Sequence, residues 1–279
     1  MTAYDDWIGR STVRQDTVSD RLIAQCRATL SGHLTSASVP LGLFWALAPD
    51  ALGPDAMTPD QLGRDGHARP GILLPHMSLP RRMWAGGDIT FHGDLSPGDT
   101  VTKTSRIESI VPKHGSTGDL IFIAMRHDYD VSGRTVIRER QDLVYCADPV
   151  PGQALPAVRT PPDLGPALAS RALTCDAVLL FRFSALTFNG HRIHYDADYA
   201  RQVEGYAGLV AHGPLQAMVM LNLAASVLGR TPPHFAYRGL SPLIAGEAAM
   251  VEARQGAAGL ALRVVKHGGP VTMTATTTA

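Results

Sequence analysis

Residues 183–196 read FSALTFNGHRIHYD and set Asn189, His191, Arg192, His194, Tyr195 and Asp196 close together just after an apolar stretch. Titratable rings and an amide on a loop anchored by a buried segment can hold a water and move a proton. A second segment, Leu209-Val210-Ala211-His212-Gly213-Pro214, leads into a long apolar run. Pro214 suits a first helical turn, and Gly213 lets a ligand oxygen approach the backbone. Free N–H groups at that helix end would bind a carbonyl or oxyanion. Together the segments describe a histidine base beside a helix end that polarises a carbonyl, which suits proton transfer α or β to a thioester. Each also has a plainer reading: a solvated loop with surface histidines, and a helix start with His212 satisfied in the core. His191 and His194 stand three apart, but only Asp196 could complete a cation site, so no metal is expected.

Other chemistries lack their residues. The chain has no GxGxxG, no GxxxxGK[ST] and no GxSxG, so no nucleotide cofactor and no serine nucleophile elbow are expected. Lys+Arg and Asp+Glu both number 25 in 279 residues, and that zero balance argues against nucleic acid or an anionic membrane as partner. Three cysteines (Cys26, Cys146, Cys175), with no CxxC, fit a reducing compartment. The first residues, MTAYDDWIGRSTVRQD, carry no apolar leader, and the apolar stretch 208–229 is interrupted by His212, Pro214, Gln216 and Asn222. The expectation is a soluble, cytoplasmic protein.

The elements that must position these residues are legible in part. Residues 16–30 have helical apolar spacing, with Asp16 as N-cap and Gly32 as stop. Residues 41–47 are apolar and of undecided type, and 49–80 read as a long irregular loop. Strands are expected at 100–110, 120–129 and 135–145, then at 177–183, 235–239, 248–254, 260–266 and 271–277. A short helix is expected at 197–204, and 213–228 is apolar almost all round, which predicts a buried helix. Six prolines between 149 and 166 predict a semi-rigid linker. The domains would be 1–148, a linker at 149–166, and 167–279. Leu95-Ser96-Pro97 and Leu240-Ser241-Pro242 each precede three strands, so the halves read as a duplicated α+β unit.

FSALTFNGHRIHYD together with EGYAGLVAHGPL (204–215) closely resembles the signature of MaoC-like (R)-specific enoyl-thioester hydratases. LGRDGHARPGILLPHMSLPRRMWAGGDITFHGDLSPGD (62–99), KHGSTGDLIFIAMRHDY, VIRERQDLVY and YRGLSPLIAG extend the resemblance over most of the chain. It points to the branch that includes mesaconyl-C4-CoA hydratase, itaconyl-CoA hydratase and the mitochondrial type 2 3-hydroxyacyl-thioester dehydratase. The resemblance implies a double hot-dog fold, two antiparallel sheets each wrapped around a central helix. It implies a cofactor-free hydro-lyase acting on an acyl-CoA, with the second half catalytic and the first widening the acyl space. Either a monomer or a homodimer fits two hot-dogs in one chain.

The family pairs an acidic residue with a histidine five positions later, both on the added water. The histidine matches His194, and the acidic position holds Asn189, an amide that cannot be a general base. The resemblance therefore implies His194 as acid/base, Asn189 orienting the water, Asp196 as a fallback partner, and the Gly213 N–H as oxyanion donor. A C5-dicarboxylyl-CoA would need a cation for its second carboxylate. Arg81, Arg82, Arg192 and Arg238 are the candidates, and Arg82, Trp84, Arg192, Tyr195, His212 and Arg238 form the expected substrate-binding set. The alternatives are a general (R)-3-hydroxyacyl-thioester dehydratase, a hot-dog thioesterase, a non-catalytic acyl-CoA-binding subunit, and an interaction protein.

Overall fold

The longest helix runs Gly213–Leu228 and is buried along nearly its whole length, from Pro214 to Ala225. Its limits are those expected: Pro214 opens it, and Gly229, at φ 70°, closes it in a left-handed conformation that glycine adopts without strain. A helix apolar on every face must sit inside something, and here a sheet surrounds it. The computed structural model describes residues 4–53, 65–67, 71–115, 118–148 and 165–278. Residues 149–164 of the expected linker, and 54–64 and 68–70 of the expected loop, lie outside the described residues.

Among the described residues ten strands form one antiparallel sheet: β1 (Ser11–Thr17), β2 (Arg81–Phe91), β3 (Thr100–Gly115), β4 (Gly118–Val131), β5 (Arg134–Cys146), β6 (Ala169–Thr174), β7 (His234–Gly239), β8 (Ala248–Gln255), β9 (Leu260–Lys266) and β10 (Val271–Thr277). Their order is β1-β3-β4-β5-β2-β7-β10-β9-β8-β6. Each half therefore repeats one arrangement, and the halves join edge to edge where β2 pairs β7. Four helices are described, α1 (Asp20–Thr29), α2 (Ala177–Thr187), α3 (Ala197–Gln202) and the buried α4 (Gly213–Leu228).

The halves differ in what fills the sheet. The second holds α4. In the first, among the described residues, the stretch of undecided type forms only a four-residue 3-10 turn, Leu43–Ala46, whose Phe44 packs on Tyr129 at 5.2 Å. One turn fills less space than four, so the inner face of β5 is left partly open. Asn222 ties the halves together inside the core. Its Nδ2 donates to Leu41 O and Met218 O (each 2.9 Å), and its Oδ1 accepts from Thr35 N (3.1 Å).

Five local expectations need correction. Residues 177–183 are not a strand. Asp176 Oδ1 accepts from Leu179 N at 2.7 Å and starts α2, whose Leu180, Phe183 and Ser184 are buried at helical spacing. An unbroken apolar run carries no period to separate the two outcomes. Asp16 is not a helix cap. It lies on β1 and accepts from Thr17 N and Ala48 N, while Ser19 caps α1. β6 supplies the strand that 177–183 was expected to form, and neither β1 nor β2, which carries Arg81-Arg82-Met83-Trp84, was foreseen.

The β2–β7 joint depends on small residues. A Cβ on Gly86 would stand 2.5 Å from the Tyr237 carbonyl oxygen, and one on Gly87 would stand 2.5 Å from the Tyr237 hydroxyl. The carbonyl is paired backbone and cannot retreat. Gly86→Val is expected to lower stability by about 1–3 kcal/mol, read as a fall in the thermal unfolding midpoint. An unchanged midpoint would contradict this account of the joint.

Candidate active site

The site begins where α2 ends. Phe188 takes a left-handed conformation (φ 53°), and the chain turns through Asn189-Gly190-His191 into a 3-10 turn, Arg192–His194. Asn189 Oδ1 accepts from His191 N at 2.9 Å, so the amide oxygen braces the turn while its Nδ2 has no described partner. His194 is buried, and its Nδ1 donates to Val210 O at 2.7 Å. That bond fixes the tautomer and leaves Nε2 as the acceptor. The ring stacks on His212 with centroids 3.6 Å apart, and His212 in turn reaches Ser184 Oγ from Nε2 at 2.9 Å. Burial holds the His194 imidazole down at about 4, against the Val210 hydrogen bond that favours its charged form. At neutral pH it is an uncharged proton acceptor.

The same strand-like segment delivers the helix end. Val210 bridges Ile244, and Ala211 N donates to Leu243 O at 2.8 Å, which sets the start of α4 beside His194. Among the described residues no side chain caps α4. Gly213, His194 and Asn189 line one cavity of about 1390 Å³. The α4 N-terminus thus faces a space large enough for an acyl thioester.

The expected substrate-binding residues separate. Trp84 and Tyr195 line the cavity. Trp84 Nε1 donates to Gly86 O and Tyr237 Oη, and the Tyr195 hydroxyl donates to Gly190 O at 3.0 Å. Arg82 also lines the cavity, where it hydrogen-bonds Tyr145. Arg81 is instead bound to Glu204, Nε to Oε2 at 2.6 Å, under the Tyr206 ring. Three residues of the set do not line the cavity. Arg192 lies over Tyr199 and pairs with Asp196, whose other oxygen caps α3. His212 is fully buried behind His194. Arg238 is exposed on β7. The fallback partner Asp196 is therefore occupied with helix and guanidinium rather than with His194.

Sequence reasoning gave no site role to Asp65 and His67, which here meet His191 of the candidate loop. Asp65 Oδ2 lies 2.8 Å from His67 Nδ1, and the His67 and His191 rings are 4.6 Å apart. Potential ligand atoms of these three lie within 4.8 Å of one another, but the Asp65–His67 hydrogen bond already accounts for the pair. Burial alone would raise the Asp65 carboxyl, yet His67 and Arg82 hold it well below its ordinary range. The signal for them was the matching triplets Asp65-Gly66-His67 and Asn189-Gly190-His191. The cavity is also lined by β5, where buried Glu139 accepts from Trp45 Nε1 at 2.8 Å.

Neutral buried imidazoles make stability depend on acid. His194 and His127, held near 4 and 3 in the folded chain, take up protons readily only when it unfolds. Their stabilisation is present above the unfolded value near 6.5 and declines as pH falls below it. By pH 5 each loses about 2 kcal/mol, so the unfolding midpoint should drop between pH 7 and pH 5. An unchanged midpoint would show these rings to be hydrated.

Known proteins resemble this chain over most of its length. The model of the family described as hydroxyacyl-thioester dehydratase type 2 matches residues 51–245. Mesaconyl-C(4)-CoA hydratase of Chloroflexus aurantiacus is 43% identical over 166 residues, 59% of this chain and 58% of that protein, so the match spans a little over half of that relative. The mitochondrial hydroxyacyl-thioester dehydratase type 2 of Schizosaccharomyces pombe is 28% identical over 267 residues, 82% of this chain and 85% of that one. A Mycobacterium tuberculosis protein described as having a double hot-dog fold superposes with a TM-score of 0.57 at 16% identity, covering 98% of this chain and 96% of that one. At that identity the likeness concerns the fold alone, and it agrees with the repeated strand order: this is a double hot-dog. Among the described residues no helix is long and apolar enough to cross a membrane.

Proposed function

Since the chain belongs to the hydroxyacyl-thioester dehydratase type 2 family, we propose that it adds water reversibly to the double bond of a 2-enoyl-CoA or methylene-acyl-CoA. The observation that carries this reading is His194, with Nδ1 fixed by Val210 O at 2.7 Å and its ring on the cavity that Gly213 also lines. The thioester oxygen is placed at the Gly213 N–H, where the helix end stabilises the enolate-like charge. Asn189 Nδ2 holds the water, His194 Nε2 takes its proton, and the oxygen adds at the β-carbon. In a 2-enoyl-CoA the α-carbon then takes a proton, in the simplest cycle from His194 itself, whereas in itaconyl-CoA, whose double bond lies between the β-carbon and a methylene, the methylene carbon takes it. Dehydration runs the same path backwards. The first half accommodates the acyl group along β5.

The substrate is read as a C5-dicarboxylyl-CoA, mesaconyl-C4-CoA or itaconyl-CoA giving citramalyl-CoA. Arg82 supports this. It lines the cavity, where it hydrogen-bonds Tyr145 and its charge faces Asp65 without a described ion pair, so it can also take a second substrate carboxylate. The 43% match to a mesaconyl-C(4)-CoA hydratase supports it too. The yeast relative keeps a second reading, a general (R)-3-hydroxyacyl-thioester dehydratase, in play.

The test compares kcat/KM for mesaconyl-C4-CoA, itaconyl-CoA and crotonyl-CoA, with products identified by mass. A branched dicarboxylyl substrate far ahead of crotonyl-CoA is the expected result. Crotonyl-CoA as the best substrate would replace the narrow reading with the general one. Release of free CoA would indicate a thioesterase, and binding without turnover a non-catalytic acyl-CoA binder.

A further inference from the structure

We propose that His67, held by Asp65, is a second catalytic acid–base group of this site, contributed by the first half of the chain. The inference rests on the hydration reading and concerns the proton that ends on the α-carbon. Two turns of the same design meet here. Asp65 Oδ1 accepts from His67 N at 3.0 Å, as Asn189 Oδ1 accepts from His191 N at 2.9 Å. Arg192 N donates to Asp65 O at 2.7 Å and docks one turn on the other. A Cβ on Gly66 would overlap the Gly190 carbonyl oxygen, and one on Gly190 would stand 2.8 Å from Gly66 O, so glycine at both positions permits the contact.

This docking sets three rings in a row. His67 is 4.6 Å from His191, and His191 is 5.3 Å from His194. His67 lines the cavity together with His194 and Asn189. The turns differ in one atom pair that matters: position 189 is an amide, whereas Asp65 is a carboxylate 2.8 Å from an imidazole. The negative charge that Asn189 lacks is thus supplied across the interface between the halves.

The groups facing His67 are Asp65 on its own turn, Arg82 on β2 with Tyr145 beside it, and His191 and His194 from the second half. Burial and Arg82 pull its imidazole below the ordinary value, and Asp65 opposes them. Among the site's histidines (67, 191, 194 and 212), His67 has the described carboxylate at hydrogen-bond distance, so a proton entering the cluster rests there. In hydration His194 Nε2 takes a proton from water as the oxygen bonds the β-carbon. The double-bond pair moves to the α-carbon and its thioester, and protonated His67 gives its Nε2 proton to the α-carbon. The proton on His194 returns to His67 through water in the cavity. One water is consumed, and both rings regain their starting state.

The test is the pH profile of kcat/KM for wild type, His67→Gln and Asp65→Asn on the best enoyl-CoA. Wild type should give a bell, with the acid limb set by His194 and the basic limb by His67. His67→Gln should lower kcat about 10²-fold with KM little changed and should lose the basic limb. Asp65→Asn keeps the ring and should move the basic limb to lower pH, since removing the carboxylate disfavours the imidazolium. A wild-type basic limb in both variants would overturn the proposal and leave the hydratase reading intact. A stoichiometric divalent ion in purified wild type, absent from both variants, would overturn it as well by making these residues ligands. Wild-type inactivity on every enoyl-CoA would instead overturn the hydratase reading.

Discussion

Replacing His194 with alanine lowers kcat/KM for an enoyl-CoA by about 10²–10⁴-fold, while circular dichroism and the thermal transition show a folded protein. The size follows from position. His194 offers the cavity an imidazole whose Nδ1 is fixed at 2.7 Å on Val210 O, so removing the ring removes the proton acceptor and leaves the helix end of Gly213 in place. Residual turnover then comes from oxyanion stabilisation and binding. Asn189→Ala should cost less, because the amide orients the water and takes no proton. A folded His194→Ala protein with near-normal turnover would end the assignment.

Arg82→Gln separates substrates rather than abolishing chemistry. Removing one partner of a buried carboxylate–guanidinium pair costs about 2–5 kcal/mol, roughly 30-fold or more in kcat/KM. The loss should be far larger on mesaconyl-C4-CoA and itaconyl-CoA than on crotonyl-CoA, which has no second carboxylate and feels only the change in charge beside Asp65 and His67. Arg81 is not interchangeable with it, because Glu204 holds that guanidinium at 2.6 Å. An equal loss on all three substrates would move Arg82 to the CoA moiety they share.

Regular elements were legible where local chemistry settled the matter. α4 runs over the residues its apolar content and Gly/Pro punctuation marked, and β3–β5 and β7–β10 follow the expected strands within a few residues. Failures came where a segment had no period of its own. The stretch after Asp176 is apolar throughout, and its side-chain cap decided for helix. β2 carries a bulge between Trp84 and Gly86 that interrupts alternation, so Arg81-Arg82-Met83-Trp84 gave no strand signal. The site divides in the same way. The resemblance supplied His194, Asn189 and Gly213, and the structure sets all three on one cavity. It also nominated Arg192, Arg238 and His212, which are used for an ion pair, a surface and a ring stack respectively. For Asp65 and His67 the sequence held only the similarity of the two triplets, because the residues that join them to the site come from the other half of the chain and meet them through the Gly66–Gly190 contact and the Arg192–Asp65 backbone hydrogen bond.

The proposed reaction is the addition of water across the carbon–carbon double bond of a 2-enoyl-CoA or methylene-acyl-CoA. Incubation of the purified protein with its best enoyl-CoA in heavy-oxygen water, followed by mass analysis of the intact thioester, tests it directly. The expected product carries one heavy oxygen on the β-carbon of the acyl group with the CoA bond unbroken, and His194→Ala should give none. Heavy oxygen in a free carboxylic acid, with CoA released, would contradict it.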